Sequence, residues 1–106
     1  SILEVPLTTL FVKTIYDQAP KLRALNPFFR KELWQTAVDA GMERLRTASP
    51  LVISCHADEF IPGYEDDLYR YGIDEFLCNL QYLEKAMHCD YITLEQYRRN
   101  TTAASR

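Results

Sequence analysis

Between Ile73 and His88 the apolar residues Ile73, Phe76, Leu77, Leu80, Leu83 and Met87 recur at intervals of three and four, the spacing of one helix face. Asp74 and Glu75 stand at the positive end of that helix's dipole and Lys85 toward its negative end. The pattern predicts a helix over 73–88 as the central element of the core. A second helical pattern runs from Pro27 to about Thr47. Asn26 before Pro27 reads as an N-cap followed by proline at the first helical position. Trp34, Val38, Met42 and Leu45 form one stripe and Phe29, Leu33, Ala37 and Ala40 its neighbour, so the buried face is wide. Gly41 inside it points to close packing of a second helix rather than to a break.

The remaining elements are shorter. Ile2, Leu3 and Val5 alternate before Pro6. Leu7, Leu10, Phe11 and Ile15 then match one helix face, ending near Gln18 to Pro20, because a proline disfavours helical geometry in the residue before it. A single turn over Pro20 to Leu25 follows. Ser49 and Pro50 repeat the cap-then-proline device. The run Leu51, Val52, Ile53 is β-branched enough for a strand, yet only Ile2 to Val5 could pair with it, so a helix from Pro50 to about Phe60 is predicted. Ile61, Pro62 and Gly63 form a turn. A short helix over Tyr64 to Tyr71 is expected, closed by Gly72. Thr93 and Gln96 are spaced as a capping box, with Ile92 and Tyr97 as its hydrophobic staple, opening a final helix from Leu94 to about Asn100.

The pattern as a whole predicts an all-α fold, a small bundle of about four to five helices forming one domain over residues 1–106, with 101–106 as a frayed tail. A length of 106 residues supports one core rather than two, and only three glycines argue against a turn-dense β fold. No run reaches the roughly 18 to 20 apolar residues that cross a bilayer, and no signal-peptide pattern is visible, so a soluble chain without membrane partners is expected. Cys55, Cys78 and Cys89 are an odd set without framework spacing, which points to reduced thiols in the cytoplasm.

Charge singles out one stretch. Residues 1–57 sum to +2 and residues 76–106 to +1, whereas Asp58 to Glu75 (DEFIPGYEDDLYRYGIDE) carries seven carboxylates against Arg70 alone, a charge of −6. Phe60, Ile61, Tyr64, Leu68, Tyr69, Tyr71 and Ile73 lie between those charges, too many large side chains for a purely solvating acidic run. Tyrosines ringed by carboxylates suit an interface that steers a basic partner.

Catalytic and metal signatures are weak. Cys55-His56 and His88-Cys89 offer zinc-type ligands, with Cys78 as a further thiol. Adjacent helical residues point about 100° apart, however, and the spacing fits no zinc motif. Cys55 beside His56 lacks the surrounding signature of a cysteine nucleophile. Glu65, Asp66 and Asp67 lack the alternating ligands and glycine of a calcium loop. Lys21, Arg23, Arg30 and Lys31 around Phe28 and Phe29, with Arg98 and Arg99, make up the basic residues of a small DNA-binding regulator, but a pI near 5.3 argues against nucleic acid.

The expectation is therefore a non-enzymatic protein-binding module without cofactor or metal: an inhibitor, immunity factor or regulatory adaptor offering an acidic aromatic surface to another protein with a basic one. Its candidate partner-binding residues are Glu59, Tyr64, Glu65, Asp66, Asp67, Tyr69, Arg70 and Tyr71. The alternatives are a DNA-binding regulator and, behind it, a thiol-dependent enzyme or structural zinc protein. The wide Trp34 face leaves room for a homodimer.

Overall fold

The computed structural model describes residues 6–48 and 50–104. It is a mixed α/β fold, which corrects the all-α expectation. A two-stranded antiparallel sheet, β1 (Thr9–Val12) and β2 (Lys21–Ala24), precedes the helices α1 (Lys31–Ala40), α2 (Met42–Thr47), α3 (Ile73–Ala86) and α4 (Leu94–Ala104), with a 3-10 turn over Ala57–Phe60.

The hairpin replaces the helix predicted over Leu7 to Ile15. Thr8, Leu10, Val12 and Thr14 are buried while Leu7, Phe11, Lys13 and Ile15 face water, a strict period of two. The four apolar residues that mimic a helix face are thus mostly the outer ones. β-branched Thr8, Thr9, Val12 and Thr14 favour the pleated surface, and local helical spacing yields to it. The register sets Leu10 opposite Arg23 and Phe11 opposite Leu22.

The predicted Pro50 helix is also absent. Residues 51–56 are extended, and their pairing partner lies just beyond the segment considered from sequence. Thr8 N–H donates to the Val52 carbonyl (3.2 Å), Val52 N–H to Thr8 Oγ1 (2.7 Å) and Ser54 N–H to the Leu25 carbonyl (2.8 Å). Ile2 to Val5, the pairing candidate from sequence, lies outside the described residues, as does Ser49.

Asn26 shapes a turn instead of capping a helix. Its Oδ1 accepts the Phe28 N–H (2.9 Å) and its carbonyl the Phe29 N–H (3.1 Å), so α1 begins only at Lys31. The helix then stops at Gly41, where a Cβ would sit 2.5 Å from Leu10 Cδ2. The close approach at Gly41 is therefore to strand β1, not to a second helix, and the chain restarts as α2.

Trp34, Val38 and Leu45 bury against Leu10, Val12, Leu25 and Phe29, with Leu83 arriving from α3. Each such side chain contributes about 1.5 to 3 kcal/mol when removed from water. The Trp34 face that suggested a homodimer is thus filled by the chain itself. In α3 the buried stripe is Glu75, Asn79 and Leu83, polar in its first two turns, so α1 rather than α3 carries most of the apolar core. The capping box before α4 forms: Thr93 N–H donates to Gln96 Oε1 (2.9 Å) and Gln96 N–H to Thr93 Oγ1 (3.1 Å). α4 continues to Ala104, four residues past its expected end, and Ser105 and Arg106 lie outside the described residues.

Candidate binding cleft

The acidic segment is held to the body by backbone pairing, not by a helix. Tyr64 to Tyr71, predicted helical, forms a miniature hairpin in which Asp66 N–H donates to the Tyr69 carbonyl and Tyr71 N–H to the Tyr64 carbonyl, both at 2.9 Å. Its second limb lies antiparallel to Phe28–Arg30: Arg70 N–H donates to the Phe28 carbonyl and Arg30 N–H to the Leu68 carbonyl, each at 2.9 Å. Asp66 makes the turn. Its Oδ1 accepts the N–H groups of Leu68 (2.8 Å) and Tyr69 (2.7 Å), while Oδ2 accepts the Tyr64 hydroxyl (2.7 Å). Burial works against the Asp66 charge, but the donors at Tyr69, Tyr64 and Leu68 outweigh it and hold its carboxyl below the ordinary aspartate value. The same bond to Asp66 pushes the Tyr64 phenol upward.

Two further carboxylates are internal. Glu59 is 3% exposed and takes Asn26 Nδ2–H at 3.0 Å and the His56 N–H, while the His56 carbonyl accepts the Glu59 N–H at 3.1 Å in return. Glu75 is also buried, and its Oε2 accepts the Lys31 N–H at 2.7 Å. Beside them Asn79, wholly buried, donates through Nδ2 to the carbonyls of Pro27 (2.8 Å) and Phe29 (2.7 Å). Gly72 turns the chain from the miniature hairpin into α3 with φ of 120°, which glycine adopts without strain.

The rings of the acidic stretch are anchored by two phenylalanines from outside the candidate residues. Phe28, fully buried, meets Phe60 edge-on at 4.8 Å and Phe76 at 5.2 Å, and Tyr64 packs on Tyr71 at 4.7 Å. Tyr69 lies half-buried on Phe29 at 5.5 Å. Burial, with Glu59 nearby, raises the phenols of Tyr69 and Tyr71.

Above this base opens a cleft of about 640 Å³. Phe60, Pro62, Tyr64 and Tyr71 supply apolar lining, and Lys31, Glu65, Arg70 and the first turn of α3 with Cys78 complete it. Ile61 and Leu77 add exposed apolar surface to its surroundings. The volume lies within the range of ligand-binding clefts.

Of the eight candidate residues, Tyr64, Glu65, Arg70 and Tyr71 line the cleft. Glu59 is inside the protein, Asp66 is committed to its turn, Tyr69 is half-buried, and Asp67 is exposed on the miniature hairpin. Asp74 and Lys31 also line the cleft: Asp74 reads from sequence only as a dipole partner of α3, and Lys31 meets Glu75 from 44 positions away. Glu65 is answered by Arg30 (3.4 Å) and Arg70 (3.8 Å). Within the acidic segment, Asp58, Asp67 and Asp74 are exposed and have no side-chain partner among the described residues.

Other chemistry finds less support. No group of three or more His, Cys, Asp and Glu side chains able to hold a metal occurs among the described residues. The Cys55 thiol is pushed up by burial and by Glu59, opposite to the shift of an activated nucleophile. Among the basic residues, Lys21 and Arg23 pair with Asp17, and Arg98 and Arg99 with Glu95. Among the described residues no helix is long and apolar enough to cross a membrane. No protein-family model, curated protein or solved structure matches the chain.

Proposed function

We propose that this protein is a binding module, an inhibitor, immunity factor or regulatory adaptor, whose cleft takes a segment of another protein carrying basic side chains next to apolar ones. The observation that carries this reading is the pairing of exposed apolar lining with an unanswered carboxylate. Phe60, Tyr64 and Ile73 line the cleft yet remain substantially exposed, and Asp74 lines it with no side-chain partner among the described residues, while Asp58 and Asp67 are exposed on the Ala57–Phe60 turn and the miniature hairpin that supply its other lining residues. The exposed aromatic surface supplies apolar contact area, and the free charges steer a basic partner and set its register. The site is preorganised by the Asp66 turn and the buried Glu59 and Glu75 contacts, which limits the ordering cost of binding. The free thiols of Cys55, Cys78 and Cys89 suit a reducing compartment such as the cytoplasm.

A fluorescent peptide alternating Lys and Leu, compared with its Glu and Leu counterpart, tests this by anisotropy. The Lys peptide should bind and the Glu peptide should not. Replacing Asp58, Asp67 and Asp74 together by Lys should weaken binding by about a hundredfold while the far-ultraviolet circular dichroism stays unchanged. Equal binding of both peptides, binding of neither, or indifference to the triple reversal would overturn the proposal.

A further inference from the structure

The second exposed apolar surface of the molecule is the outer face of the hairpin, and its tip is tied together by Asp17. Asp17, whose side chain is 7% exposed, accepts the Thr14 N–H (2.9 Å), the Thr14 hydroxyl (3.0 Å) and Arg23 Nη2–H (3.2 Å), and pairs with Lys21 Nζ at 3.1 Å. That fixed turn holds Ile15 and Tyr16 in water at 81% and 78% exposure. Behind them, Phe11 and Leu22 face outward as a cross-strand pair. Arg44 lies 5.5 Å over the Phe11 ring, anchored through its Nε–H to the Thr9 carbonyl. Lys13, exposed, has no side-chain partner among the described residues, so the face is basic as well as apolar.

This is the chemistry the cleft calls for, presented by the same chain. The two surfaces lie on different elements: Lys31 at the start of α1 lines the cleft, whereas Gly41 at its close meets Leu10 on the inner face of β1, whose outer face carries Phe11 and Lys13. α1 spans about 15 Å between Lys31 and Gly41, and the hairpin tip and the cleft share no residue, so the tip can meet the cleft of a neighbouring molecule as a head-to-tail contact. We infer that the cleft also takes a second copy of this chain, with the Ile15-Tyr16 tip and Lys13 of one molecule set against the Tyr64 and Asp74 side of the next. This inference rests on the cleft reading above.

Head-to-tail contact is tested by complementary variants in sedimentation. The wild-type mass should rise above that of the monomer with concentration and fall back as salt is added. The hairpin variant I15D/Y16S and the cleft variant D67K/D74K should each remain monomeric alone, and an equimolar mixture should give a one-to-one dimer, since each retains the surface the other lacks. If Lys at position 74 disturbs the first turn of α3, D58K/D67K serves as the cleft variant. A wild type that stays monomeric, variants that still self-associate, or a mixture that stays monomeric would overturn the inference. A monomeric wild type that still binds the Lys peptide would remove self-association alone and leave the cleft reading standing.

Discussion

Glu75 on the first turn of α3 caps α1: its Oε2 accepts the Lys31 N–H at 2.7 Å, and α1 has no side-chain cap of its own. One carboxylate thus satisfies a free donor of α1 while lying at the positive end of α3. Glu75→Ala is expected to destabilise the protein by about 1 to 2 kcal/mol in urea, with Glu75→Gln retaining part of the effect because its amide oxygen can still accept the bond. Equal stability of Glu75→Ala and wild type would show that the cap contributes nothing.

Asn79→Leu should be more damaging. The amide is fully buried and satisfies the carbonyls of Pro27 and Phe29, which would lose their side-chain donor inside the protein. A loss of about 3 kcal/mol is expected, read as a lower urea midpoint at unchanged slope.

Gly41→Ala sets helix propensity against packing. A methyl there falls 2.5 Å from Leu10 Cδ2 and 2.9 Å from the Ala37 carbonyl oxygen. Leu10 is buried and has little room to yield, so the substitution should cost about 1 to 3 kcal/mol despite alanine's better propensity. A more stable Gly41→Ala protein would mean that Leu10 repacks freely.

Acid should loosen the hairpin tip. The Asp17 carboxyl is held well below its ordinary value of 3.8, first by the Thr14 N–H and then by Lys21 and the Thr14 hydroxyl, against some burial. Because the folded value is depressed, its stabilisation is complete above the ordinary aspartate value and is lost as pH falls below it. Asp17→Asn should flatten that acid limb in pH-dependent thermal melts. At the other extreme, burial and the bond to Glu84 push the Tyr91 phenol up to about 12, so its contribution holds below pH 10 and fades as pH rises through 12. Phenolate absorbance during alkaline titration should show Tyr91 ionising late, and Tyr91→Phe should remove that step.

Elements specified by nearby residues were legible from the chain. The start of α3 at Ile73, the box formed by Thr93 and Gln96, and the buried stripe of Trp34, Val38 and Leu45 all follow from spacing or local chemistry, whereas Gly72, read as the close of a helix over Tyr64 to Tyr71, instead precedes α3. The hairpin was not legible, since Leu7, Leu10, Phe11 and Ile15 share helical spacing although only Leu10 is buried. Periodicity alone could not weigh them against the buried threonines. Residues 51–54 and 64–71 were misassigned for a related reason: their extended form depends on Thr8, Leu25 and Phe28–Arg30, far away in sequence. The charge count located the acidic segment, and position at the start of α3 marked Glu75 as structural, but neither could show that Glu59 and Asp66, read as partner-binding, hold the structure together.

The antiparallel contact between Phe28–Arg30 and Leu68–Arg70 also bears on how the chain reaches this state. Its hydrogen bonds, with those from Asn79 to Pro27 and Phe29, join segments 38 to 52 positions apart, so neither half has a complete set of partners during synthesis. Closing that large loop must precede most of its reward, and the entropy lost in doing so sets a slower pace than helix formation in α1 or α3. Until the loop closes, Phe28, Phe60 and Phe76 remain uncovered, and the nascent chain is most exposed to aggregation in that interval.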